Sequence, residues 1–160
     1  MGLRNPLAII ALTAGLLINP AQLGAQADED DGLSQSEKES VAAAKTPEDR
    51  MKLYLDIANE RLKIVVSASR KGEKQSAEEA VKAFRTAVSG AEDNCLSNQV
   101  PEKDRKKLLM TLSKATRKYN FALVQALEKV PEDSRSFIQS AYEVSQRVQD
   151  GADIQLQRYK

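Results

Sequence analysis

One thiol, a row of lysines and a scatter of carboxylates are the side chains of this 160-residue chain that could do chemistry, and no His or Trp is present to assist them. Cys95 is the only cysteine. A thiol reacts as its thiolate, which a neighbouring base or cation must generate. Without His that task falls to Lys or to a helix N-terminus, whereas Cys95 follows Glu92 and Asp93, whose negative charges raise a thiol's pKa. Two roles then stay open for Cys95. It is either a small apolar filler on an inward seam or one half of an intermolecular disulfide, the latter giving a homodimer.

Lys103, Lys107, Lys114 and Lys118, flanked by Lys106 and Arg117, fall on one side of a helix and span about 22 Å of its axis. Such a row is either a solvated outer face or a holder for an anionic partner: lipid head groups, envelope polymer or an acidic protein surface. Glu78, Glu79, Glu92 and Asp93 share another helix but lie outside its apolar seam. Metal sites in helical bundles use inward carboxylates with a Glu-x-x-His pair, which a chain without His cannot supply, so no metal or other cofactor is expected. There is no Gly-rich phosphate loop, no Gly-x-Ser-x-Gly elbow and no Cys-x-x-Cys-His haem motif. The expectation is a protein that is not an enzyme. Three Phe and four Tyr offer few stacking platforms, and 24 basic against 23 acidic residues leave a formal charge of +1. A nucleic-acid partner is therefore not expected.

The elements that position these residues read as helices. Thr46-Pro47-Glu48-Asp49 is a start signal: a hydroxyl to cap a free N–H, Pro in the first turn, and acids at the positive end of the dipole. The seam Met51, Leu55, Ala58, Leu62, Val65 carries this helix to about Lys71, where Gly72 supplies a left-handed stop. Ser76 and Glu79 have capping-box spacing and open a second helix with the seam Ala77, Val81, Phe84, Val88, Ala91, Cys95. Gly90 costs about 1 kcal/mol relative to Ala, which predicts loosening of the turns after Ser89. A third helix begins at Val100-Pro101-Glu102 and turns Leu108, Leu112, Ala115, Tyr119, Ala122 and Ala126 inward, opposite the lysines. Val130-Pro131-Glu132-Asp133 opens a fourth, with Phe137, Ile138, Ala141, Val144, Val148 and Ala152 inward. The expected fold is all-α, an up-down four-helix bundle. A three-helix arrangement with one long helix kinked at Pro131 is the alternative.

Before the bundle, at residues 46–160, come two segments. Residues 1–27 combine Arg4, an apolar run from Leu7 to Ile18 and an Ala25-Gln26-Ala27 tail, the pattern of a cleaved signal peptide. The run is shorter than the roughly 20 residues that span a bilayer. Residues 28–45 are acidic and poor in apolar side chains, which predicts a disordered leader. Export, amphipathic helices and missing catalytic groups together predict a periplasmic or secreted protein that works by binding. The first reading is an adaptor or chaperone-like envelope factor with a protein partner. The alternative is a surface-associating protein that presses its basic helix face on anionic lipid or envelope polymer.

Overall fold

A computed structural model describes residues 31–160, and these are helical with no strand. The order is α1 (Gln35–Ala43), α2 (Pro47–Lys71), α3 (Lys74–Leu96), α4 (Glu102–Leu127) and, after a 3-10 turn at Glu132–Ser134, α5 (Arg135–Gln157). The expected signal peptide lies outside the described residues.

α1 corrects the expectation of a leader without structure over its described part, and makes the count five α-helices rather than four among the described residues. Its N-terminus is a complete capping box: the Glu37 N–H donates to Ser34 Oγ at 3.2 Å and the Ser34 N–H donates to Glu37 Oε2 at 2.8 Å. A nine-residue helix is too short to persist alone in water. Two tertiary contacts hold it: Val41 is buried, and Arg61 of α2 donates to both oxygens of Glu37 at 2.7 and 2.8 Å.

α2 begins and ends as its sequence dictates. Thr46 Oγ1 accepts from the Asp49 N–H at 3.0 Å, and Gly72, at φ 71°, closes the helix in the left-handed region. α3 starts earlier than expected. Gly72 turns the chain so sharply that Lys74 is already helical and the Ala77 N–H donates to the Glu73 carbonyl at 3.0 Å. Ser76 therefore sits inside the first turn, and the predicted Ser76–Glu79 capping box does not form. The predicted loosening at Gly90 is also absent: α3 continues to Leu96. The missing side chain is filled from across the interface, because a Cβ at Gly90 would lie 2.5 Å from the Tyr54 ring of α2.

At Pro131 the chain reverses rather than kinks. Asn120 of α4 donates to Gln146 and Gln149 of α5 at 3.1 and 2.8 Å, and Ser113 donates to Asp153 at 2.5 Å, partners that only an antiparallel hairpin brings together. The long kinked helix is thereby excluded. α2 and α3 form the other antiparallel hairpin, with Asn94 near the end of α3 donating to the Pro47 carbonyl at the start of α2 at 2.8 Å. The hairpins stack with α3 parallel to α5 and α2 parallel to α4. Lys74–Asp133 at 2.9 Å and Arg147–Glu92 at 2.8 Å mark the first pairing. Lys107–Glu48 at 2.8 Å and the Tyr119 hydroxyl donating to the Leu55 carbonyl at 2.9 Å mark the second. Between the hairpins, Phe84 and Tyr119 meet edge to face with ring centroids 5.6 Å apart.

Candidate interaction surface

Cys95 is where its seam puts it, on α3, with no accessible surface. Burial, reinforced by the negative charge of Glu92, pushes its pKa up to about 12, so the group is a neutral thiol at physiological pH. A nucleophile needs the opposite shift. A thiol with zero exposure also cannot meet a second chain unless the end of α3 opens, so the folded bundle does not present Cys95 for an intermolecular disulfide. The carboxylates of α3 are dispersed. Glu92 pairs with Arg147, Glu79 accepts from Gln75 at 3.0 Å, and no cluster of metal-ligating side chains occurs among the described residues.

All four row lysines lie on α4 and are exposed, but they are not equivalent. Lys107 is bound to Glu48 of α2 at 2.8 Å, and that hydrogen bond and charge raise its pKa. Lys103, Lys114 and Lys118 have no carboxylate within ion-pair distance among the described residues. Beside them, Arg117 lies 3.6 Å from Asp153, and Lys106 reaches the Tyr159 carbonyl at 3.5 Å. α4 carries two acids, exposed Glu102 and half-buried Asp104, both in its first turn, and none from Arg105 to Leu127. Beyond its first turn the outer face of α4 is thus basic, with no acid of its own.

Apolar side chains interrupt it, a feature the sequence reading passed over. Phe121 is 70% exposed, Met110 56% and Val124 45%. At 100° per residue all three lie within about 60° of Lys103 around the helix, so a helical wheel already carried the signal. The inner face of α4 departs from expectation in the complementary way. Ser113, Thr116 and Asn120 are buried, while Ala115 and Ala122 of the predicted seam are only partly covered. The buried polar groups find partners: Ser113 with Asp153, Asn120 with two glutamines, and Thr116 Oγ1 with the Leu112 carbonyl at 2.9 Å. The Ser113 and Asn120 bonds cross to α5, set the rotation of α4 about its axis and so keep Phe121 outward.

A second surface is a cleft of about 1440 Å³ with α3 as its floor and α1 and α5 as its walls. Leu33, Val41, Val81, Phe137 and Val144 give it apolar patches. Its charges are mixed: Lys38, Arg50, Arg85 and Arg147 alternate with Asp31, Glu78, Asp93 and Glu143. Some of these charges neutralise one another, as Lys38 and Asp31 do at 3.3 Å. The rim at Gly32 is tightly seated: its φ is 78°, the Asp31 carbonyl accepts from Thr86 Oγ1 at 2.7 Å, and a Cβ at Gly32 would lie 2.7 Å from the Ala83 backbone nitrogen. Only glycine fits there. The cleft is preformed, and its mixed charges select neither an anionic nor a cationic ligand. Comparison with protein-family models, with curated proteins and with solved structures finds no match to this chain, so these surfaces stand on their own chemistry.

Proposed function

We propose that this is a non-catalytic binding protein, exported to the periplasm or the exterior by residues 1–27, and that it works by laying the outer face of α4 on an extended anionic surface. The observation that carries this reading is the basic stripe from Lys103 to Lys118, in which half-buried Asp104 is the one acid, with Lys103, Lys114 and Lys118 free of carboxylate partners among the described residues. Each basic side chain near an anionic surface contributes about 1 kcal/mol, and exposed contacts are screened beyond about 8 Å at physiological ionic strength. Export rests on the charged start, apolar run and Ala-x-Ala tail of residues 1–27.

The test is retention on an anionic matrix at about 0.05 M and about 0.5 M salt. Strong retention at low salt that is lost at high salt is expected. The K114E/K118E variant should lose it with helix content unchanged, since both side chains are exposed and have no ion-pair partner to lose. Retention that ignores salt, or that survives the double reversal, would overturn the reading. A protein partner, in the manner of an adaptor or chaperone-like factor, is the second reading. The cleft between α1 and α5 favours it, because its volume exceeds what most small-molecule sites need and suits a peptide or helix.

A further inference from the structure

We infer that the anionic surface on which α4 docks is a lipid bilayer, with Phe121 and Met110 entering the head-group region between the basic side chains; this rests on the α4 reading above and deepens it. Charge alone does not distinguish a bilayer from a soluble polyanion or an acidic protein. The apolar side chains do. A polyanion gives a 70% exposed phenyl ring nothing to leave water for, whereas an interface offers acyl chains beneath a charged layer. Met110 and Phe121 are eleven residues apart, close to three helical turns and about 16 Å, so both point from the same side of α4. Lys114, Arg117 and Lys118 lie between them in sequence, and Lys103 and Lys106 precede them. Their long stems let the cations stay at head-group level while the two apolar side chains go deeper. Val124, one turn beyond Phe121, extends the apolar end.

Two further features agree. α4 cannot roll to hide Phe121, because Ser113 and Asn120 on its other side are bonded to Asp153, Gln146 and Gln149 of α5. Among the described residues no helix is long and apolar enough to cross a membrane. A second copy of the chain is the less suitable occupant, since two such faces brought together are both cationic.

The chain lacks Trp, so an F121W variant carries a single reporter. The full chain, its M110S/F121S variant, its K114E/K118E variant and F121W are to be mixed with vesicles of phosphatidylglycerol and phosphatidylcholine. Pure phosphatidylcholine vesicles control for the apolar run of residues 7–18, and soluble dextran sulfate serves as a polyanion without a hydrocarbon interior. Expected are binding to anionic vesicles well above binding to neutral ones, and a blue shift of F121W emission on anionic vesicles only. M110S/F121S should bind anionic vesicles about tenfold more weakly and dextran sulfate unchanged. K114E/K118E changes the charge by four units and should weaken both, by about fivefold per unit. Equal vesicle binding by M110S/F121S and the parent, or an F121W spectrum that does not move, would overturn the lipid assignment. Binding to dextran sulfate without binding to vesicles would do the same while leaving the broader anionic-surface reading standing. Binding to neither would sink both. A concentration-dependent dimer in ultracentrifugation, dissolved by M110S/F121S, would assign the face to self-association instead.

Discussion

α3 and α4 are neighbours of similar length that use the same helical period to opposite ends. α3 buries small and apolar side chains almost throughout: Ala77, Ala80, Ala83, Ala87 and Ala91, with Phe84 as its one large anchor, while mixed charges face outward and its exceptions, buried Asn94 and exposed Leu96, are confined to the last turn. Both of its faces are committed to folding, the inner one allowing the other helices to approach closely and the outer one to water. α4 departs from that pattern on both faces through its middle turns. It buries Ser113, Thr116 and Asn120, and it exposes Met110 and Phe121. Of these, Ser113 and Asn120 contribute direction rather than hydrophobic energy, fixing register and rotation against α5. Departures from a consistent folding pattern concentrate where a protein does something else. That contrast is why the outer face of α4, rather than the cleft above α3, is the working surface proposed here.

The contrast is testable through the inner faces. F84A removes the fully buried ring that joins α3 to Tyr119 of α4, and truncations of this kind cost about 3–5 kcal/mol. Denaturant unfolding should show a midpoint shift of that size. A shift below about 1 kcal/mol would mean that the hairpins are not held together through Phe84. N120A tests the other strategy. Asn120 donates to two glutamines that are themselves only partly covered, and its Oδ1 has no partner, so the loss should be near 1 kcal/mol. A loss as large as that for F84A would show that the polar layer carries stability and not merely orientation.

How far the sequence revealed this arrangement depends on the range of the interaction. Local signals were readable. The starts at Pro47, Pro101 and Pro131 each lie within a residue or two of a helical segment, and every residue of the predicted α3 seam, from Ala77 to Cys95, is buried. α1 was missed because its apolar content is little more than Val41, and its order depends on Arg61, a residue 24 positions beyond Glu37. Ser113 and Asn120 were missed because a pattern that sorts apolar residues inward cannot nominate a polar one whose partners lie on α5. The difference between Lys107 and its neighbours was hidden for the same reason, since Glu48 is 59 residues away. Met110 and Phe121 were legible on the wheel, but an inward search for core residues does not look at the outer face.

Cys95 gives the smallest change at neutral pH and the clearest sign. Replacing this buried thiol with Ala removes little volume and should cost under about 1 kcal/mol. Its effect grows with pH. The folded thiol is held up to about 12 against an ordinary value of 9.0, so the folded chain keeps this proton more tightly than the unfolded chain does. The resulting stabilisation is complete below about pH 9 and is lost as pH rises from there toward about 12. Tyr119 behaves alike but starts later: burial, helped by the charge of Asp56, raises it from 10.0 to about 12. Thermal unfolding followed by circular dichroism between about pH 7 and pH 11 should therefore give a flat melting temperature to about pH 9 and a decline above it. In C95A the decline should begin about one unit higher, where the tyrosine takes over. If both proteins begin to decline together, the thiol ionises as an open one does, and the closed packing of α3 described here cannot extend to its last turn.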